Sequence, residues 1–177
     1  MDLQFMKAGT ADAPVLTGIS KQAFDSDTEA GAASPGGPPG YRSVPFHARM
    51  ARMNHMFKLA DGNGVIIGGA ILFRQGDTLN IGRIFIDPQH FRKGYGAFMM
   101  REIEAMFPDV KVFTLDTPVR NTRTNAFYAK LGYTEVKRGA DLVYYAKTND
   151  GGAGKHDQEG GGRVAAKGAC RLNPNRQ

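Results

Sequence analysis

The segment Arg92-Lys93-Gly94-Tyr95-Gly96-Ala97 sets two cations beside two closely spaced glycines. It lies between an apolar run and a helical pattern, the place where backbone N–H groups and the helix dipole converge on an anion. Glycines there let the main chain approach phosphate oxygens with no side chain in the way. A Gly-x-Gly is also an ordinary tight turn, and it is the flanking Arg92 and Lys93 that favour anion binding. Two nucleotide loops are excluded by residue type. A dinucleotide fingerprint needs a third glycine where Met99 stands, and the Gly-Lys-Ser/Thr of a Walker loop is absent. The single cysteine, Cys170, offers neither an internal disulfide nor a thiolate cluster for zinc. His47 and His55, with Met50, Met53 and Met56, are expected to stripe a helix packed on a sheet, and no spacing suggests convergent metal ligands.

The elements that must position this turn read as alternating strands and helices. Leu3, Phe5 and Ala8 predict an opening strand, and Val15, Leu16 and Ile19 predict a helix over 10–24. Residues 26–43 contain Pro35-Gly36-Gly37-Pro38-Pro39-Gly40 and are expected to form a long irregular loop, of the kind that is usually functional or disordered. A helix over 46–55 follows, then a hairpin of strands 56–59 and 65–73 about Asp61-Gly62-Asn63-Gly64, and a strand over 79–86. Met99, Ile103 and Met106 predict an amphipathic helix over 94–107 that stops at Pro108. A strand over 110–115 leads to a helix over 121–131, with Asn121 placed to cap its start and Gly132 to end it. Strands over 133–137 and 142–147 close the body. Hairpins interrupted by helices make a mixed α/β domain of the α+β type, not a doubly wound one.

The segment Asp87-Pro88-Gln89-His90-Phe91-Arg92-Lys93-Gly94-Tyr95-Gly96 resembles the acyl-CoA pyrophosphate loop of the GNAT superfamily of N-acetyltransferases. The segment from Asn121 to Tyr133, with Asn121 seven residues before Tyr128 and Gly132-Tyr133 closing it, resembles that family's next motif. Both occur in the family's order and spacing, and the strand pattern fits over residues 3–147. One departure is Phe91, which stands three before Gly94 where the family usually has Gln or Arg.

The resemblance implies a GNAT-like, mostly antiparallel sheet flanked by helices, and acetyl transfer from acetyl-CoA to a primary amine in a ternary complex. It assigns the pyrophosphate to Phe91, Arg92, Lys93, Gly94, Tyr95, Gly96 and Ala97. Pantetheine would add like a strand beside Phe85 and Ile86, where a main-chain amide would also polarise the thioester carbonyl. Tyr128 is the candidate general acid for the leaving thiolate, with a buried core tyrosine as the plainer alternative. Asn121 would cap its helix, contact the cofactor's amides, or both. The amine must lose a proton to attack. The fourth strand, Asn80-Ile81-Gly82-Arg83-Ile84, has no carboxylate where the family often does. Asp116 is therefore the chosen base, with His90 and Asp27 as alternatives. The loop over 26–43, with Tyr41 and Arg42, lies where family members shape the acceptor pocket.

Composition bounds these readings. The chain has 177 residues, 23 Lys plus Arg, 17 Asp plus Glu and a formal charge of +6, which suits one domain with a real core. Residues 1–147 are expected to be that domain and 148–177 a disordered tail, because the tail lacks aromatics, is broken by Gly151-Gly152 and Gly160-Gly161-Gly162, and carries five basic against three acidic residues. Those mixed charges argue against a nucleic-acid arm. No basic segment followed by an apolar run opens the chain, and no apolar stretch approaches membrane length, so a cytoplasmic protein without membrane partners is expected. The expected acceptor is a small-molecule amine or an exposed protein amine, and a homodimer is left open. The competing class is a non-catalytic acyl-CoA binder or sensor that kept the loop and lost the base.

Overall fold

The computed structural model describes residues 2–150, so the tail from 151 onward, including Cys170, lies outside the described residues. Seven strands form one sheet: β1 (Gln4–Lys7), β2 (Met56–Ala60), β3 (Ile66–Gln75), β4 (Thr78–Ile86), β5 (Val112–Pro118), β6 (Thr134–Arg138) and β7 (Leu142–Thr148). Their spatial order is β1-β2-β3-β4-β5-β7-β6. Every neighbouring pair is antiparallel except β4 with β5. Four helices cover the two faces: α1 (Ala13–Asp25), α2 (Val44–Arg52), α3 (Tyr95–Met106) and α4 (Thr122–Lys130). This is the mixed, mostly antiparallel architecture expected from the sequence.

Each face of the sheet has its own core. Leu16, Ile19 and Ala23 of α1 and Met50 and Ala51 of α2 pack with Met56, Ile71 and Phe85. Met99, Met100 and Ile103 of α3 and Tyr128 of α4 pack with Leu79, Ile81, Phe113 and Leu115 on the opposite face. A fully buried Met or Ile contributes roughly 1.5–3 kcal/mol relative to exposure, so the three α3 side chains alone fix that helix against the sheet. Met106, expected on the same stripe, is 39% exposed at the helix end.

Local differences from expectation have local causes. Residues 10–12 form a 3-10 turn and α1 starts at Ala13, with Pro14 in its first turn, where a missing N–H leaves no bond unmade. Helix α2 ends at Arg52, so the expected stripe holds only His47 and Met50. Asn54 takes a left-handed φ of 60°, and the N–H groups of Asn54 and His55 bond back to the Ala51 and Met50 carbonyls, a Schellman ending. Met53 is left 54% exposed, and His55 packs at a tilt against Phe73 with ring centroids 4.8 Å apart. Residues 26–30, expected to be irregular, form a 3-10 turn that Gly31 ends at φ 109°. The last strand runs to Thr148, and Asn149 bonds the Val110 carbonyl through its side chain at 2.8 Å. No helix among the described residues is long and apolar enough to cross a membrane.

Candidate active site

The sheet opens at its middle. β4 pairs with β5 only over Thr78–Asn80 and Val112–Thr114. Beyond that point β4 stays with β3 as far as Ile86, and β5 stays with β7 as far as Pro118. A wedge is left between the C-terminal halves of β4 and β5. Its apex is pinned by Asn80, whose side chain donates to Thr114 Oγ1 at 3.1 Å.

A bulge aligns the open half of β4. Ile71 lies opposite Arg83 and Leu72 opposite Ile81, so Gly82 is an extra residue. A Cβ at Gly82 would stand 2.8 Å from the Phe73 ring and 3.3 Å from the Ile71 carbonyl oxygen, so a side chain there would have to displace that ring. The extra residue reverses the facing: Ile81 belongs to the α3/α4 core, whereas Phe85 belongs to the α1/α2 core. Asp87 donates its N–H to the Ile67 carbonyl on β3. Strand alternation then turns the N–H groups of Ile84 and Ile86 towards the wedge, and that of Phe85 towards β3.

Beyond β4, Asp87 caps the 3-10 turn Pro88–His90 by accepting the Gln89 N–H at 2.9 Å. The next residues curl tightly, with Arg92 at φ 60° and Gly94 at φ 79°. Gly94 caps α3 with no side chain, so the Gly96 and Ala97 N–H groups have no acceptor within the helix. Arg92, Lys93 and Gly94 are exposed at this end. Gly96 is also a packing position, since a Cβ there would come within 3.3 Å of the Phe127 ring. Phe91 packs against the α3/α4 core, and the Arg123 guanidinium lies 5.0 Å above its ring. His90 belongs to this loop and not to the wedge mouth: its ring stacks on Tyr95 at 6.0 Å, and its Nδ1 lies 3.7 Å from Asp87.

Helix α4 brings Tyr128 to the wedge from the other side. Asn121 caps the helix, its Oδ1 accepting the Thr124 N–H at 3.1 Å. Gly132 ends it at φ 87°, with its N–H and that of Tyr133 bonded to the Ala129 and Tyr128 carbonyls. Thr124 reaches Thr117 of β5 at 2.6 Å, fixing the helix against the strand. Tyr128 is 7% exposed, with its ring among Phe127, Tyr133 and Tyr145. Burial, and then the negative charges of Asp116 and Asp27, hold its hydroxyl far above the ordinary phenol range. At neutral pH Tyr128 therefore keeps its proton and can donate it.

Asp116 lies near the end of β5, opposite Tyr144 of β7, on the face turned away from Leu115 and Thr117. Solvent reaches it, yet the surrounding protein desolvates the carboxyl enough to raise its pKa. Asp27 sits across the wedge mouth in the turn after α1. It bonds Arg123 at 2.8 Å and also bonds the Asn121 side chain. Desolvation outweighs those partners and raises its pKa as well. The structure thus brings together Tyr128, Asp116, Asp27 and Asn121 at one end of the wedge and puts Arg92 to Ala97 at the start of α3. Among the described residues no three His, Cys, Asp or Glu converge as a metal site.

Three features of this region had not been read from the sequence: the bulge at Gly82, the Asp27–Arg123 tie, and the placement of Arg83. A glycine inside the strand pattern Asn80-Ile81-Gly82-Arg83-Ile84 is a recognised bulge signal and would have located the first. The tie spans 96 residues of sequence and has no local signal.

A family model described as the acetyltransferase (GNAT) family matches residues 24–133. No curated protein is significantly similar in sequence. Solved structures share the fold at low identity. The PaiA N-acetyltransferase of Thermoplasma acidophilum, in complex with coenzyme A, superposes with a TM-score of 0.72 at 13% identity, over 84% of this chain and 99% of its own. The ribosomal-protein-S18-alanine N-acetyltransferase of Escherichia coli gives 0.67 at 19% identity, over 89% and 100%. A chimera of the spermidine N-acetyltransferase SpeG from Vibrio cholerae gives 0.65 at 16% identity, over 84% and 96%.

Proposed function

The chain belongs to the GNAT acetyltransferase family, and from that premise we propose that it moves an acetyl group from acetyl-CoA to a primary amine, with donor and acceptor bound together. The observation that carries this reading is the open wedge between β4 and β5, to which α4 brings a buried Tyr128.

The residues present fit the donor. Gly96 and Ala97 offer N–H groups at an uncapped helix start, Arg92 and Gly94 curl the loop, and Arg92 and Lys93 are exposed beside it. These groups, with Phe91 packed beneath, would hold the phosphates. Ile86 turns a backbone N–H into the wedge, where it would align the pantetheine arm and polarise an acyl carbonyl. Phe85 supports the strand from the opposite core. Acetyl-CoA supplies the acyl group as an activated thioester. Tyr128 Oη holds a proton for the departing sulfur, and Asp116, its carboxyl pKa raised, takes a proton from the acceptor ammonium. Asn121 fixes the start of α4 and through it Tyr128. A small amine and an exposed protein amine both suit a site open to solvent at Asp116, and the reading implies a cytoplasmic setting.

The second reading, a non-catalytic acyl-CoA binder, draws on β4, which presents Asn80 and Arg83 and no carboxylate. Acetyl-CoA should raise the melting temperature, and free thiol should appear with at least one member of an amine panel. No stabilisation by acetyl-CoA would overturn the donor assignment; stabilisation without thiol release from any amine would favour the binder.

A further inference from the structure

Among the described residues Arg83 is a cation without an anion. The bulge at Gly82 puts it on the α1/α2 face of the open half of β4, opposite Ile71. One guanidinium nitrogen, Nη2, donates to the carbonyl of Pro39 in the loop before α2. The guanidinium lies 4.7 Å above the Phe46 ring. The other terminal nitrogen, Nη1, is enclosed and has no hydrogen-bond partner among the described residues. Desolvation is the influence on its pKa, which falls to about 10 with no neighbouring carboxylate to offset it, so the charge persists at neutral pH.

His47 adds a second unmet atom beside the same ring. Its Nδ1 lies 2.9 Å from the Ser43 carbonyl and 3.1 Å from Thr17 Oγ1, whose hydroxyl is spent on the Ala13 carbonyl. Both partners therefore accept, which puts the imidazole hydrogen on Nδ1 and leaves Nε2 as an enclosed acceptor with no partner. The Arg83 charge helps to lower the pKa of His47, after burial, and both side chains rest against Phe46. An enclosed guanidinium N–H without a partner is costly and asks for an explanation.

We propose that Arg83 recognises a carboxylate carried by the acceptor amine. The guanidinium fork matches a carboxylate in two parallel bonds, and here one arm is unmet while the other holds only a neutral carbonyl. Position separates this group from the donor, whose phosphates belong at Arg92 to Ala97. Arg83 faces away from α3 and stands roughly 10 Å along the strand from Ile86, at about 3.3 Å per residue. That is the reach of an amine linked to a carboxylate by a short chain. The cover over Arg83 is the loop between Gly31 and Ser43. Its Gly40, at φ 80°, lies so flat on Phe46 that a Cβ would be 2.6 Å from the ring. Exchange of the Pro39 carbonyl for a carboxylate oxygen would move this loop. The inference rests on the acetyl-transfer reading and names its substrate class.

The test compares 3-aminopropanoate, 4-aminobutanoate and 6-aminohexanoate with the corresponding amides, with thiol release followed against concentration. At one chain length or more, the wild type should favour the acid by about tenfold or more in kcat/KM, the scale of a hydrogen bond to a charged group. Arg83→Met should abolish that preference through KM, leaving the amides and the stabilisation by acetyl-CoA unchanged, while Arg83→Lys keeps part of it. Equal use of acid and amide at every length overturns the proposal, as does an equal loss for both in Arg83→Met. Should no amine release thiol, acetyl transfer itself falls. The proposal is then judged by thermal stabilisation from acid over amide: a difference lost in Arg83→Met upholds carboxylate binding, and its absence in the wild type overturns it.

Discussion

Asp27 and Arg123 meet at 2.8 Å across the mouth of the wedge, joining the turn after α1 to the first turn of α4. The Arg123 guanidinium also lies over Phe91, so one side chain touches the turn after α1, the helix that carries Tyr128, and the loop before α3. Arg123 is exposed and Asp27 largely covered, so the pair contributes modestly, and a double-mutant cycle with Asp27→Asn and Arg123→Met should give a coupling of roughly 0.5–1 kcal/mol in urea unfolding. Arg123→Met alone should cost more than Asp27→Asn at pH 7, because it leaves a desolvated carboxylate unpaired. A coupling near zero would mean that the two side chains do not hold each other in solution.

Tyr128→Phe removes one oxygen from a buried ring cluster. Stability should change little, while kcat for thiol release falls by roughly 10²–10⁴-fold with the KM for acetyl-CoA held, the range for losing a positioned proton donor. An undiminished kcat would show that the departing sulfur takes its proton elsewhere.

Asp116 makes a prediction in pH. Its carboxyl lies above the ordinary value of 3.8, so the folded chain binds this proton more tightly than the unfolded chain. Protonation therefore favours the fold. That stabilisation is whole below the unfolded pKa and is lost as pH rises through the folded one. Asp116→Asn should raise the melting temperature at pH 7 and leave it nearly unchanged near pH 3. Thiol release by the same variant should be low at neutral pH and recover as the medium itself deprotonates the amine.

Gly94 holds φ 79° at an uncapped helix start. A β-branched residue adopts that angle only with strain, so Gly94→Val should cost about 1–2 kcal/mol in denaturant titration. The same change puts carbons where phosphate oxygens would approach, and the thermal shift with acetyl-CoA should shrink with it. A full thermal shift in this variant would place the phosphates elsewhere.

Much of this was legible because it is local. Strand and helix periods, the Asn121 cap, the Gly132 stop and the Gly94 turn each have their cause within a few residues. Legibility fails where several local solutions compete. Asn54 ended α2 early by adopting a left-handed angle that its side chain tolerates, and residues 26–30 wound into a turn inside a stretch dominated by later prolines and glycines. Long-range matters were not legible. Asp27 was weighed as a base, but its pairing with Arg123 depends on how two distant loops meet. The meaning of Arg83 lies in what it lacks, and a missing partner becomes visible only once Phe46, Pro39 and His47 are folded around it.

The three-residue pairing of β4 with β5 also gives the sheet a seam. On one side, four antiparallel strands are joined through short-range hairpins for β2, β3 and β4. On the other, β6 and β7 form a hairpin that holds β5. Within the sheet the two plates meet only along the three residue pairs of β4 and β5, and α3 and α4 pack across both. A ligand laid as a strand in the wedge would supply the rungs that the open halves of β4 and β5 lack, carrying the sheet across its seam.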